Sequence, residues 1–281
     1  MDQNAQSYHD QDPAKMAPPR PPAPSMAPNL YQTPTSNPAP FSDIENQNTT
    51  YASSEQFNAF SDESIRLAFI RKVYSILSIQ LIITFGFVSI FQLSNGSRAW
   101  AAMNPGWIYV AFLFGFGTLI ALACCEGLRR AFPANFICLG IFTLAQSFML
   151  GMVTSFYDTN VVWIAVLMTL IVVIGLTAFS AQTQIDFTVY NSLAFIAGLI
   201  FLTFGIILIF VNVSFLQVLY SAIGTLLFSF YLIIDTQMII GGRHKNNISP
   251  EEYIFASITL YTDILNIFLF ILQLVERASR R

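Results

Sequence analysis

Charge is what this sequence has least of. Only 10% of its 281 residues are Asp, Glu, Lys or Arg, against roughly a quarter in a soluble domain, so the chain cannot dress a water-facing surface. Histidine is almost missing: His9 lies in the N-terminal segment and His244 in a short polar break. The three cysteines, Cys124, Cys125 and Cys138, fall in or beside apolar runs without disulfide or zinc spacing, and read as small hydrophobic packers. No basic stripe is present, which argues against a nucleic-acid partner. Ser–His–Asp sets, phosphate loops and HExxH are also missing, so the sequence offers no catalytic constellation, and no enzyme and no cofactor are expected. No charged n-region followed by a short apolar stretch opens the chain, so the first membrane helix is expected to act as the targeting signal.

What is there is apolar, at 54% of residues and a mean hydropathy of +0.58. It is unevenly spread. Residues 1–60 are Pro, Ala, Ser, Asn and Gln in runs such as "MAPPRPPAPSMAPNLYQTPTSNPAPF". So little apolar area cannot offset the entropy of ordering, and a disordered, cytosolic Pro-rich tail is expected. "PPRPP" around Arg20 has the form that docks Pro-reading domains; as a solvated spacer it needs no partner. From residue 61 a membrane domain is expected, with spans at about 73–93, 107–125, 134–156, 161–180, 189–211, 215–240 and 253–275, each long enough to cross about 30 Å of hydrocarbon as a helix. Lipid cannot satisfy backbone amides and the runs lack barrel-strand alternation, so the fold class is an all-α integral membrane bundle of seven helices. "SNGSRAWAAMNPG" reads as a turn-rich loop, "FP" at 132–133 as the opening of the third span, and "YDTN" as the link to the fourth. The seventh span, "YIFASITLYTDILNIFLFILQLV", is the most polar, and is stable mainly if the other six surround it.

Lys and Arg orient the bundle. Arg66, Arg71 and Lys72 precede the first span, Arg129 and Arg130 follow the second, and Arg243 and Lys245 follow the sixth; the other side keeps Arg98. The N-terminus is therefore expected in the cytosol. Asn95 in "NGS" then falls in a lumenal sequon, while Asn48 and Asn247 fall in cytosolic ones. Seven crossings put "ERASRR" on the lumenal side against the rule, so either the last segment re-enters or packing forces its tail across.

Two acids remain in the oil, Asp235 in "YLIIDTQMII" and Asp263 in "LYTDILNIFLF". Glu126 closes the second span beside Arg129 and Arg130, where an intrahelical pair accounts for it. An ionised Asp at the bilayer centre costs at least about 2.5 kcal/mol, so each should face the interior and find a partner. Helices joined by a short loop are natural neighbours, which makes Asp235 and Asp263 candidates for each other. Two carboxylates in contact share one proton and titrate as a pair, a proton-sensitive latch. Carboxylate oxygens without histidine or thiolate also suit calcium, here as a transient ligand, before zinc. Two other readings stay open: structural glue, with Thr259 and Asn266 as local partners, and a proton relay. Along their own helices the two acids lie at different depths, about 7 Å and 15 Å from the cytosolic ends, so contact requires the seventh helix to start lower or to tilt.

Residues 231–275, "YLIIDTQMIIGGRHKNNISPEEYIFASITLYTDILNIFLFILQLV", resemble the C-terminal signature of the transmembrane Bax-inhibitor-motif family, in its lifeguard branch. "RKVYSILSIQLIITF", "CCEGLRRAFPANFICLGIFTLAQSF" and the Pro-rich tail agree. The resemblance covers about residues 60–281. It implies a seven-helix bundle with the last helix central, in endoplasmic reticulum or Golgi, with plasma membrane or lysosome as further options. It also implies a pH-sensitive calcium leak from stores and suppression of cell death through apoptosis-regulating membrane proteins. Asp235 and Asp263 match the family's gating pair, and Arg129, with Arg130 beside it, matches the basic residue that locks it. The expected function is thus a calcium leak gated by a carboxylate pair; the alternative is a non-conducting scaffold that regulates apoptosis through partners.

Overall fold

The computed structural model describes the backbone of residues 41–211, 213–241 and 244–280, with side chains from residue 62 onward. Two units divide after Ala52. Of the tail expected over 1–60, residues 1–40 lie outside the described residues and 41–60 are helical backbone. The second, Ser53–Arg281, is the bundle.

Among the described residues the regular structure is all helical: α1 (Phe41–Leu93), α2 (Asn95–Met103), α3 (Trp107–Cys124), α4 (Glu126–Arg130), α5 (Ala134–Thr154), α6 (Thr159–Gln182), α7 (Asn191–Phe210), α8 (Ser214–Ile240) and α9 (Tyr253–Ser279), with short 3-10 turns at Phe187–Tyr190 and Pro250–Glu252. Seven helical stretches are long and apolar enough to cross a membrane. They coincide with the seven expected spans to within a few residues, except that the first begins at Asp62 and the last runs from Pro250 to Ser279. Because no proline interrupts Phe41–Leu93, the helix has nothing to stop it where the apolar run does.

The turn-rich loop expected after the first span is instead α2. Ser94 caps it by accepting from the Ser97 amide at 3.3 Å, and helix formers follow in "RAWAAM". Arg98 then fastens α2 to the α5–α6 turn, donating to Tyr157 O at 2.8 Å, Thr159 Oγ1 at 3.1 Å and Ser155 O at 3.3 Å.

The semi-polar last helix is central, as its sequence requires. Of the apolar stretch in α9, 72% is buried inside the protein, against 11% for the stretch containing α7. Ile254, Ile258, Tyr261, Ile267 and Leu272 are almost wholly enclosed. Association in lipid gains little from hydrophobicity, so packing and interhelical hydrogen bonds hold α9. Tyr261 Oη lies 2.7 Å from Thr84 Oγ1, which meets Ser147 Oγ at 2.9 Å. The last segment is one continuous helix of 27 residues, long and apolar enough to cross a membrane.

The α8–α9 connection folds back against the helix it leaves. Gly241 ends α8 at φ +64°, a conformation other residues rarely adopt, and the Ile248 amide donates to Met238 O at 3.0 Å. Arg66 of α1 clamps this turn, with Nη2 on Met238 O at 2.7 Å, Nε on Ile240 O at 3.0 Å and Nη1 on Ile248 O at 2.7 Å. Ile240 O would otherwise be an orphan of a helix end. The return relieves the depth mismatch, because the chain re-enters alongside Met238 rather than above Ile240.

Candidate functional site

Asp235 and Asp263 are brought together. Asp263 is 6% exposed and Asp235 only partly so, and their side chains lie within hydrogen-bonding reach of each other. Asp235 also reaches Thr259, four residues before Asp263 and therefore on the same face of α9. The Thr259 hydroxyl donates its proton to Ala256 O at 3.1 Å. Among the described residues no donor reaches Asp263 Oδ2, which is buried. Two carboxylates both accept, so a bond between them requires a proton. Asn266, the other local partner considered, turns away and donates to Thr262 O at 2.8 Å.

Above this pair, at the first turn of α9, stands a second set of charges. Glu252 is buried, with Oε2 2.5 Å from Arg129 Nε and Oε1 2.6 Å from Arg130 Nη2. Arg130 also meets Glu126 at 2.8 Å and Glu251 at 3.7 Å. The Arg129 guanidinium lies over the Phe255 ring at 5.2 Å, and Lys72 Nζ sits 3.3 Å above the Tyr253 ring. Glutamates at a helix start and arginines at the end of α4 suit both helix dipoles.

In the other direction along α9, aromatic rings close the bundle. Phe270, two turns after Asp263, packs on Phe201, Tyr220 and Phe228 with ring centroids 5.5, 5.7 and 5.7 Å away. Gly224 leaves the room for them, since a Cβ there would meet Phe201 and Phe270 at under 3 Å.

The family described as "Inhibitor of apoptosis-promoting Bax1" matches this chain over residues 66–280. The chain belongs to that family. It is 42% identical over 220 residues to protein lifeguard 3 of Homo sapiens, covering 77% of this chain and 70% of the relative. Protein lifeguard 4 of Mus musculus is 35% identical over 217 residues, covering 77% and 88%. Seven apolar helices and this membership make the chain an integral membrane protein.

Within this Bax-inhibitor-family bundle Asp235 and Asp263 lie together, and Arg129 and Arg130 stand apart from them. Arg129 and Arg130 sit on Glu252, and among the described residues neither forms an ion pair with Asp235 or Asp263. Depth explains the arrangement. Glu252 lies eleven residues before Asp263, about 16 Å of helix, and a guanidinium at the membrane edge finds a carboxylate there without entering hydrocarbon. Glu252, in "SPEEY", has no role assigned from the sequence. The available signal was a pair of acids opening a helix opposite a pair of arginines ending another.

Proposed function

We propose that this Bax-inhibitor-family protein is a non-enzymatic calcium leak of an internal membrane, endoplasmic reticulum or Golgi, with its N-terminus in the cytosol. Protonation of Asp235 and Asp263 gates it, and its calcium release serves the suppression of cell death that the family description names. The observation that carries this reading is the meeting of two carboxylates from different helices, one with a buried oxygen that lacks a donor.

With one proton shared, the pair bonds and holds α8 to α9. Loss of that proton leaves two negative charges whose repulsion is weakly screened at this depth, so the helices part. The freed oxygens then meet calcium in transit. Calcium prefers six to eight oxygens, and no three His, Cys, Asp or Glu converge among the described residues, so the pair suits a passing ion, with water completing its shell. The Arg129–Arg130–Glu252 cluster supports the gate indirectly, by fixing where α9 enters the bundle.

The test is calcium efflux from liposomes containing the purified full chain, measured across pH. Proton-dependent efflux that Asp235→Asn and Asp263→Asn each abolish supports the reading. An unchanged pH response in both variants assigns the aspartates to structural glue.

A further inference from the structure

The far end of α9 carries charge that the gate does not use. About 20 Å of helix beyond Asp263, Glu276, Arg277 and Arg280 border a cavity of about 550 Å³ between the ends of α7 and α9, the start of α8 and the α5–α6 turn. Glu276 is 9% exposed. Its Oε1 accepts from Arg280 Nε at 2.5 Å, while among the described residues no donor reaches its buried Oε2. Arg277 donates to Gln217 Oε1. Each guanidinium carries five N–H groups, and these bonds occupy one of each. Tyr157 closes the cavity; burial, and then the Glu276 charge, push its phenol up, so it stays protonated as a further donor.

These groups set the chemistry of an occupant. A simple anion satisfies the arginines and leaves Glu276 Oε2 without a donor. A simple cation satisfies Glu276 but faces two guanidiniums. A molecule with a phosphate and an N–H-bearing ammonium a few atoms apart satisfies both. The remaining wall is apolar: Leu208 and Ile209 of α7 line it, and Ile209 is 77% exposed. We infer that this cavity binds the headgroup of a phospholipid carrying a primary ammonium, with the phosphate on Arg277 and Arg280, the ammonium on Glu276 Oε2, and the acyl chains leaving past Leu208 and Ile209. The site gives Arg277 and Arg280 a reason to stand at the end where the positive-inside count is against them.

Phosphatidylcholine is the decisive control, because its phosphate is the same but its quaternary ammonium has no N–H to donate. The full chain, purified in detergent, is exposed to equal amounts of phosphatidylethanolamine and phosphatidylcholine with identical acyl chains, and bound lipid is counted by native mass spectrometry. A charge-assisted hydrogen bond predicts about tenfold enrichment of phosphatidylethanolamine. Glu276→Gln should reduce that enrichment to near parity. Arg280→Gln, at a side chain 76% exposed and so without consequence for folding, should lower retention of both lipids together. Equal retention of the two lipids by the unaltered chain overturns the proposal, as does undiminished enrichment in a folded Glu276→Gln protein. Displacement by soluble phosphoethanolamine at concentrations equal to the lipid's assigns the site to a free metabolite and overturns the lipid half.

Discussion

The two ends of α9 each present a buried glutamate to arginines, and they use it differently. Glu252 engages both oxygens, with Arg129 on one and Arg130 on the other, and both partners come from another helix. Glu276 engages one oxygen, with an arginine of its own helix four residues on, and leaves the other without a donor. The first arrangement joins two elements, with a guanidinium nitrogen within 2.6 Å of each carboxylate oxygen. The second joins nothing to α9 and keeps a charge free to meet a molecule from outside. Ion pairing of both oxygens across helices marks a fastening, and a buried carboxylate oxygen that borders a cavity with no guanidinium beside it, among the described residues, marks a site. Between them Asp235 and Asp263 share features of both, since they join α8 to α9 yet complete their bond only with a proton.

The comparison breaks most visibly at the middle pair. Replacing Asp263 with Asn supplies an N–H to Asp235 without any proton from solvent, so the bond no longer depends on pH. Efflux from liposomes should then show no pH response at all, the largest change expected of any substitution here. A mutant that keeps the response would place the titrating group elsewhere.

At the fastened end, Glu252→Ala removes a buried carboxylate facing two guanidiniums. It should cost about 2–3 kcal/mol, the range for breaking a buried charged hydrogen-bond set, and lower the thermal unfolding midpoint in detergent. Arg280→Gln at the other end should leave that midpoint where it is, because an exposed intrahelical pair contributes little. Equal losses at the two ends would erase the distinction between fastening and site.

How much of this was legible in the sequence follows from what membranes make costly. Asp235 and Asp263 announced themselves because an acid in an apolar run must find a partner, and the seventh span's polarity announced its central place. The number and limits of the spans followed from the same constraint. The partner of Arg129 is not legible, because spacing gives distance along a helix but not depth relative to another, and Glu252 is the carboxylate at its level. α2 was hidden because the turn signals in "SNGS" and "MNPG" lie at its ends, while the bonds that hold it come from Arg98 reaching residues almost sixty positions away. Glu276 looked like part of a basic tail, since its burial arises only once α9 meets its neighbours.

The aromatic layer between the aspartates and the far cavity gives a smaller test. Gly224→Ala places a methyl against Phe201 and Phe270, and overpacking of this kind costs about 1–3 kcal/mol unless the rings shift. The expected outcome is a lower unfolding midpoint with an unchanged pH response of efflux, because the substitution leaves both carboxylates in place. Loss of the pH response would couple the ring layer to the gate.

The smallest effect is expected at Asp186, which adds a second clasp at the Glu252 end. It lies between α6 and α7 and accepts from the Lys245 amide at 2.8 Å, the Thr188 hydroxyl at 2.7 Å and the Thr188 amide at 3.0 Å, so it ties that loop to the α8–α9 connection. These donors hold its carboxyl below the usual range, with the Thr188 hydroxyl contributing most and the Lys245 amide next. The sign follows directly. A depressed carboxyl stabilises the folded state above its unfolded pKa of about 3.9, and that contribution is lost as pH falls through the lower folded value. Other carboxylates titrate in the same window, so the informative quantity is the difference between the unaltered chain and Asp186→Asn. That difference in unfolding midpoint should be constant above about pH 5 and shrink below about pH 4. A gap that stays constant down to the lowest pH would mean that Asp186 acts through shape alone, and that the end of the bundle holding Glu252 is fastened by one clasp rather than two.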